Sequence, residues 1–208
     1  MAMPDALATR YNVSRESRQK LELYVDLLSL WQQRINLIGP STVPDIWTRH
    51  IADALQVIPL LPDNGAAFAD LGSGAGIPGL ILAIATGRKA RLYESNGKKV
   101  AFLREAIRRT GAPAEVQQMR VETIDPQAAQ IPGIVTARAF APLNMLLSLA
   151  EPMLSNGATG LFHKGQDVDA ELTEATKYWR LHFVKHPSVV DSKGVILEVK
   201  EAQRVEPA

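Results

Sequence analysis

A glycine-rich segment between an apolar run and a helical pattern constrains this chain most. The segment ADLGSGAGIPG, residues 69–79, holds four glycines in eight positions and directly follows Ala66-Ala67-Phe68. Glycines at the point where a strand turns into a helix let the backbone approach a ligand closely, and the first turn of the helix offers unpaired N–H groups. The segment therefore predicts a strand–loop–helix unit that binds a ligand at the end of the first strand.

The chain after residue 65 alternates between short apolar runs and amphipathic segments. Strands are predicted near 66–71, 90–94, 115–119, 133–138 and 157–163, and helices near 78–86, 97–110, 121–129 and 141–154. A helix near 167–178 precedes two further strands that the turn Asp191-Ser192-Lys193-Gly194 joins. This alternation predicts an α/β fold with a doubly wound, mostly parallel sheet that ends in a C-terminal antiparallel strand pair.

Two helical segments precede the first predicted strand. Residues 14–38 show apolar side chains at spacings of three and four positions, which is typical of an amphipathic helix. These residues are Leu21, Tyr24 or Val25, Leu28, Trp31 and Ile35. A second helix is predicted in PDIWTRHIADALQVIPLL, with Pro44 in its first turn. We therefore expect residues 1–64 to form an N-terminal helical cap and residues 65–208 to form one compact ligand-binding domain.

The composition excludes several classes of protein. The chain has no cysteine, which excludes disulfides, a thiolate nucleophile and zinc–thiolate sites, and we expect no metal. Its longest apolar runs, such as residues 79–85, are too short to cross a bilayer, and its first residues lack the pattern of a signal peptide. We expect a cytoplasmic, monomeric protein with no membrane partner.

The glycine segment fits two classes of adenosine-containing ligand. Gly74-x-Gly76-x-x-Gly79 matches the dinucleotide fingerprint, and Glu94 stands twenty residues beyond Gly74, where a ribose-binding carboxylate is expected. The same loop and acid would suit the nucleoside part of S-adenosylmethionine. The fingerprint alone therefore does not separate an NAD site from a methyl-donor site.

Other residues near the strand ends favour S-adenosylmethionine. Asp70 stands two residues before Gly72, and a carboxylate there would repel a pyrophosphate but attract an ammonium or sulfonium group. Ile77 would form an apolar wall, and Val121-Glu122 would accept a hydrogen bond from an adenine amino group. Only one nucleotide-binding half is evident, which also disfavours a dinucleotide.

Several segments together resemble a known family, the bacterial small-subunit rRNA guanine-N7 methyltransferases (RsmG, also called GidB). The resemblance runs from about residue 20 to about residue 200. It rests on LSLWQQRINLIG, TRHIADAL, FADLGSGAGIPGL, YESNGKKVAFLREA, VTARAFAPL and HKGQ, in that order. The resemblance implies a Rossmann-like class I methyltransferase fold, S-adenosylmethionine as cofactor, and 16S rRNA or the small ribosomal subunit particle as partner.

The resemblance also implies roles for individual residues. It places cofactor contacts at Gly72, Ile77, Val121-Glu122 and Arg138, and it makes Glu94 the ribose ligand. Glu94 stands where many relatives have Asp, and Ser73 stands where the family's loop often has Thr.

The remaining residues agree with methylation of guanine N7. Methylation of pyrimidine C5 commonly uses a cysteine nucleophile, which this chain lacks, and TARAFAPL replaces the Asp/Asn-Pro-Pro-aromatic motif of amine methylation. The N7 lone pair needs no general base, so positioning the two reactants suffices. We therefore expect no catalytic acid or base; Arg138 and Lys164 are candidates for positioning, and His163 is expected to pack.

A surplus of basic residues predicts where RNA would bind. Residues 65–120 hold nine Lys/Arg and four Asp/Glu, although the whole chain has a net charge of only +1. This surplus fits either a phosphate-binding patch or a solvated helix face. Asn36, Arg49 and His50 fit either an RNA contact or a structural hydrogen-bond network. The RNA-binding candidates are Lys98, Lys99, Arg104, Arg49, His50 and Lys164, and Arg108 and Arg109 share the same basic helix.

Two other functions stay open at the level of the residues. One is an NAD-dependent oxidoreductase, and the other is a non-catalytic nucleotide-binding module. They differ from a methyltransferase in whether NAD, ATP or adenosylhomocysteine binds.

Overall fold

The computed structural model describes residues 1–125 and 132–205. Its centre is a seven-stranded sheet with the strand order β3-β2-β1-β4-β5-β7-β6. Strands β1 to β5 are parallel, whereas β7 is antiparallel to both β5 and β6. The strands are β1 (Phe68–Leu71), β2 (Ala90–Glu94), β3 (Ala114–Gln118), β4 (Ile134–Arg138), β5 (Thr159–Lys164), β6 (Trp179–Pro187) and β7 (Val195–Arg204). The predicted mixed sheet with a C-terminal antiparallel pair is confirmed.

Helices cover both faces of the sheet. They are α1 (Asp5–Arg10), α2 (Arg15–Gln32), α3 (Asp53–Leu55), α4 (Gly79–Thr86), α5 (Gly97–Thr110), α6 (Leu143–Leu154) and α7 (Val168–Ala175). One apolar cluster contains buried side chains of α2, α4 and α5, and a second contains those of α6 and α7. None of the helices in the described part of the chain is long and apolar enough to cross a membrane.

The central strands are buried on both faces because helices pack on each side of the sheet. Successive side chains of a strand point to opposite sides, so they enter different apolar clusters. In β1, Phe68 belongs to the first apolar cluster and Ala69 belongs to the second. In β4, Ile134 and Val135 divide in the same way. This explains why β1 and β4 are buried along almost their whole length instead of alternating between buried and exposed positions.

The predicted helix over residues 14–38 ends six residues early, at Gln32. The Gln32 side chain supplies hydrogen bonds that the backbone of a continued helix would otherwise give to the residues that follow. Its amide oxygen accepts from the backbone N–H groups of Leu37 and Ile38 at 2.8 and 3.0 Å, and its amide nitrogen donates to the Ile38 carbonyl at 2.8 Å. A polar side chain near the end of the pattern thus turns the chain out of the helix.

The second N-terminal helix was predicted as one continuous segment and is interrupted in the structure. A single 3-10 turn, Pro40–Thr42, is followed by a π-helix, Trp47–Ala52, by α3 and by a further 3-10 turn, Ile58–Leu60. The π-helix is a widened turn, and such turns often occur at functional sites. This widened turn contains Arg49 and His50, which bond to the end of the sheet as described below.

Two further differences concern the helices. Residues predicted to be helical near 121–129 begin with one 3-10 turn, Val121–Thr123, and positions 126–131 lie outside the described residues. The short helix α1 was not predicted. Helix α5 begins and ends where predicted because Asn96 caps its first turn and Gly111, with φ +61°, ends it.

Candidate active site

The glycine loop takes backbone conformations that other residues rarely adopt. Gly72, Gly74 and Gly76 have φ angles of +67°, +58° and +86°. A Cβ atom on Gly72 would lie 2.1 Å from the Phe140 ring, and one on Gly79 would lie 2.5 Å from the Cβ of Asp70. The loop therefore needs glycine for two reasons, positive φ at Gly74 and close packing at Gly72 and Gly79.

Glu94 holds the glycine loop and the start of α5 together. One carboxylate oxygen accepts from the N–H of Gly74 at 2.8 Å, and the other accepts from the N–H of Asn96 at 2.8 Å. The side chain is 8% exposed and closes β2. Since each carboxylate oxygen has two lone pairs, Glu94 can accept further hydrogen bonds from a ligand while keeping these two.

Asp70 lies beneath the loop rather than on a cavity wall. It is 1% exposed, and one carboxylate oxygen accepts from the hydroxyl of Thr136 at 2.7 Å. Its other oxygen forms no hydrogen bond with any described residue. Burial raises the pKa of Asp70 to about 6, although the Thr136 hydrogen bond acts in the opposite direction. The structure therefore places this predicted ligand-binding acid behind the loop, next to the start of α4.

Tyr24, on α2, fixes the loop from the other side. Its hydroxyl donates to the carbonyl of Ala75 at 2.8 Å, and its side chain is fully buried. Burial raises the Tyr24 pKa, so the hydroxyl remains a donor at neutral pH. Sequence reasoning assigned this residue only to the apolar stripe of the helix. A tyrosine at a core position signals such a contact because its hydroxyl needs a partner when it is buried.

A cavity of about 290 Å³ lies at the carboxyl ends of β1, β2 and β3. Of the predicted cofactor ligands, the structure brings four to its wall: Gly72, Glu94, Val121 and Glu122. Tyr93, Met119 and Phe140 give the wall an apolar part. Gly74 and Ile77 do not line this cavity; Ile77 packs in the core, 8% exposed.

A second cavity, of about 540 Å³, lies at the carboxyl ends of β4 and β5. Both cavities include Ala139 and Phe140, so they adjoin at the residues that follow β4. The larger cavity falls in the size range of small-ligand sites. Its polar wall residues include Arg49, His50, Asp53, Arg138, His163, Lys164 and Glu171.

Arg138 joins the end of β4 to the N-terminal helices. Its Nε lies 2.9 Å from a carboxylate oxygen of Asp53. One terminal nitrogen donates to Nδ1 of His50 at 3.1 Å, and the other donates to the carbonyl of Arg49 at 3.1 Å. The ion pair with Asp53 was not predicted, because no local pattern connects residues 85 positions apart.

The hydrogen bonds of His50 determine its protonation. Nδ1 accepts from Arg138, so the proton is on Nε2, which lies 2.7 Å from the hydroxyl oxygen of Thr42. Burial lowers the pKa of His50 to about 4, and the charges of Arg138 and Arg49 act in the same direction. The structure therefore places His50 in the hydrogen-bond network, which was one of its two predicted roles.

His163 and Lys164, at the end of β5, both have partners. Nε2 of His163 lies 2.8 Å from the carbonyl of Asp53, and burial lowers the pKa of this histidine. The ammonium of Lys164 lies 2.5 Å from a carboxylate oxygen of Glu171 and donates to the carbonyl of Ala141 at 3.2 Å. A phosphate at Lys164 would thus meet a carboxylate, which disfavours the predicted phosphate contact.

The basic residues of α5 divide into two groups. Arg108 and Arg109 pair with Glu105, on the same helix. Lys98, Lys99 and Arg104 form no ion pair with the described residues; Lys98 and Arg104 are exposed, and Lys99 lines the smaller cavity. Lys98 and Arg104 are therefore the α5 candidates whose charge is available to a distant anion. Asn36 contacts Gln32 in the N-terminal region.

Comparison with known proteins identifies the family. The model of the family described as rRNA small subunit methyltransferase G (GidB) matches residues 17–199. The chain belongs to this family. Ribosomal RNA small subunit methyltransferase G of Paramagnetospirillum magneticum is 45% identical over 201 residues, which are 97% of each chain. Its counterpart in Methylorubrum populi is 49% identical over 203 residues, which are 96% of this chain and 95% of that one.

Solved structures agree with the fold of this rRNA methyltransferase family. A SAM-dependent methyltransferase from Aquifex aeolicus has a TM-score of 0.58 at 14% identity, covering 78% of this chain and 98% of that chain. TYW2 of M. jannaschii, solved in complex with AdoMet, has a TM-score of 0.58 at 11% identity, covering 83% and 80%. At these identities the likeness shows the fold, that of the class I methyltransferases.

Replacing Asp70 with Asn tests the buried carboxyl. Because the folded pKa is about 6, above the unfolded value, the native state of the wild type loses stability as pH rises from about 4 to 6. Asp70→Asn keeps the Thr136 acceptor and does not ionise. The variant should therefore gain stability relative to the wild type over this window, by up to about 3 kcal/mol.

Urea unfolding between pH 4 and pH 8 measures this difference. Asp63→Asn, in an exposed position before β1, is the matched control and should give a flat difference. Parallel curves for Asp70→Asn and the wild type would show that Asp70 is not a buried acid.

Proposed function

We propose that this protein transfers a methyl group from S-adenosylmethionine to N7 of a guanine in small-subunit (16S) rRNA. The observation that carries the proposal is the pair of adjoining cavities at the carboxyl edge of the parallel sheet, in a chain of this family. The smaller cavity accommodates the nucleoside of the cofactor and the larger one accommodates the acceptor base. Methyl transfer then takes place where the cavities meet, at Ala139 and Phe140.

The smaller cavity offers the contacts that an adenosine needs. The free lone pairs of Glu94 accept from the ribose hydroxyls, as the acid at the end of the second strand does in Rossmann-like sites. Val121 and Glu122 lie on the same wall, next to the adenine. Asp70 and Gly74 act from behind, Asp70 by packing against Gly79 and Gly74 by its bond to Glu94.

In this proposal Arg138 binds the carboxylate of the cofactor. A guanidinium has five N–H donors, and three of its nitrogens already each donate to Asp53, His50 or Arg49. The two remaining N–H groups belong to the terminal nitrogens of a side chain that lines the larger cavity. Paired donors of this kind suit a carboxylate.

The reaction needs no base from the protein. The N7 lone pair attacks the methyl carbon, the bond from carbon to sulfur breaks, and the positive charge moves from the sulfonium to the guanine ring. No proton leaves N7, which agrees with the state of the two histidines at this cavity. The pKa values of His50 and His163 are both lowered, so both are neutral near pH 7 and neither is poised to transfer a proton. The chain's contribution is orientation and the exclusion of water.

The proposed division into an N-terminal cap and a methyltransferase unit is supported by two contacts between these parts. Residues 1–64 cap the methyltransferase unit of residues 65–208, because Tyr24 supports the glycine loop and Asp53 holds Arg138. The substrate, an rRNA or the small ribosomal subunit particle, places the protein's action in the cytoplasm. The alternatives, an NAD-dependent oxidoreductase and a non-catalytic module, find no support in the family or in the β6–β7 antiparallel pair.

Substituting Glu94 tests the cofactor site. Glu94→Gln keeps one acceptor oxygen and adds a donor, so it should weaken the binding of adenosylhomocysteine by about 1.5–3 kcal/mol, the range for a hydrogen bond to a charged group. Calorimetric titration measures the affinity. Glu115→Gln, on the neighbouring strand, is the control and should bind like the wild type. Wild-type binding of NAD in place of adenosylhomocysteine would contradict the cofactor assignment.

Replacing the target guanine with 7-deazaguanine tests the acceptor atom. This base has carbon in place of N7, so methyl transfer should cease while RNA binding stays nearly unchanged. The measurement is incorporation of labelled methyl groups into small-subunit RNA, with binding followed separately. Methylation that persists on the 7-deaza RNA would place the acceptor at another atom.

The salt dependence of RNA binding tests the basic face of α5. If the unpaired Lys98 and Arg104 contact phosphates, changing both to Ala should reduce the slope of log K against log salt by about 1.4 to 1.8. The double variant Arg108→Ala/Arg109→Ala, whose arginines pair with Glu105, is the matched control and should change the slope less. Equal slopes for the wild type and the Lys98/Arg104 variant would move the RNA contact elsewhere.

A further inference from the structure

The pair formed by Lys164 and Glu171 faces the larger cavity with unused hydrogen-bonding capacity. One oxygen of Glu171 accepts from Lys164 and from the N–H of Leu143, at 2.5 and 2.7 Å. The other oxygen of Glu171 forms no hydrogen bond within residues 1–125 and 132–205. Lys164 uses two of its three donors, on Glu171 and on the carbonyl of Ala141. An ammonium donor and a carboxylate acceptor are thus left side by side.

We propose that Lys164 and Glu171 read the Watson–Crick edge of the acceptor guanine, an inference that rests on the proposed function. Guanine presents an acceptor, O6, beside a donor, N1–H, on that edge. The ammonium of Lys164 donates to O6 and the free oxygen of Glu171 accepts from N1–H. Adenine presents the reverse order, an amino donor beside the N1 acceptor. It is rejected because the donor of Lys164 then faces a donor and the acceptor of Glu171 faces an acceptor.

This arrangement solves a problem specific to methylation of N7. Arginine commonly recognises guanine through O6 and N7 together, which would block the reacting atom. Recognition from the Watson–Crick edge leaves N7 uncovered. Lys164 ends β5 and Glu171 lies in the first turn of α7, and the adjoining Phe140 separates the pair from the cofactor cavity. The base therefore has its recognised edge on the β5 side and N7 free to meet the methyl group.

The carboxylate also lies where charge develops. When N7 takes the methyl group, the guanine ring becomes cationic and its N1–H becomes a stronger donor. A hydrogen bond from N1–H to Glu171 therefore strengthens as the reaction proceeds and stabilises the transition state. Glu171 does not remove the proton.

The pair has a structural role from which this proposal must be separated. Glu171 accepts from the first N–H of α6, and Lys164 holds the carbonyl of Ala141 in the preceding loop. A purely structural role predicts that variants slow methyl transfer equally for every base. Base recognition predicts that the loss depends on the groups that the base presents.

The experiment compares three bases at the position that the wild type methylates. Small-subunit RNA is assembled with guanosine, inosine or 2-aminopurine riboside there. All three bases keep N7; inosine keeps O6 and N1–H, and 2-aminopurine lacks both. The wild type should methylate inosine within about tenfold of guanosine, and 2-aminopurine far more slowly.

Glu171→Gln keeps a cap for α6 but presents an amide donor to N1–H. Its rate on guanosine and inosine should fall about 10- to 150-fold, the range for one hydrogen bond to a charged group, with little change on 2-aminopurine. Lys164→Met should show the same pattern through the lost O6 contact and serves if Glu171→Gln does not fold. Glu174→Gln, one turn along α7 and paired with Lys177, is the matched control and should behave like the wild type.

The outcomes separate this inference from the proposed function. Equal losses on all three bases, or an unchanged ratio of guanosine to 2-aminopurine, would overturn the recognition role while methyl transfer by the wild type stands. A wild type that transfers no methyl group to any of the RNAs would overturn the proposed function itself. Adenosylhomocysteine affinity should remain at the wild-type level in each variant, and thermal unfolding shows that each variant is folded at the assay temperature.

Discussion

The ion pair between Arg138 and Asp53 joins the two parts of the chain that form the larger cavity. Arg138 ends β4, and Asp53 begins α3 after the widened turn. Both are mostly buried, and a pair of this kind is costly to break, because the remaining charge is left without a partner. Arg138 also donates to His50 and to the carbonyl of Arg49, and Asp53 accepts from Gln56 and contacts His163, so each member of the pair has further hydrogen-bond partners.

The same pair explains why the N-terminal helices belong to the site. A Rossmann-like sheet positions ligands at its carboxyl edge, but the edge alone leaves the ends of β4 and β5 open to water. The segment from Thr42 to Asp53 closes this side and brings Arg49 beside the cavity. Tyr24 makes the second connection, between α2 and the loop. The cap therefore sets the shape of the cavities as well as covering the apolar face of α4 and α5.

The parts that sequence reasoning predicted are those determined by local chemistry. The glycine loop, the bounds of α5 and the acid that closes β2 each follow from residues close together in the chain, such as Asn96, Gly111 and Glu94. The partners of Asp53 and Glu171 could not be found this way, because they depend on tertiary contacts. Asp53 pairs with Arg138, 85 positions away, and Glu171 contacts Lys164 and Leu143, 7 and 28 positions away. Asp70 shows the same limit: its negative charge follows from the sequence, but its burial depends on the tertiary structure.

In the proposed function one edge of the sheet binds a cationic cofactor and an anionic RNA, and the distribution of charge suits both. At the ends of β4 and β5 the basic side chains have acidic partners, Arg138 with Asp53 and Lys164 with Glu171. Their charge is thereby balanced where a sulfonium must bind, which limits repulsion of the cofactor. The unpaired Lys98 and Arg104 lie on α5, where they can attract phosphates without facing the sulfonium. In the proposed function, paired charges at the ends of β4 and β5 serve base recognition and unpaired charges on α5 serve backbone binding, a division that is usual at protein–nucleic acid interfaces.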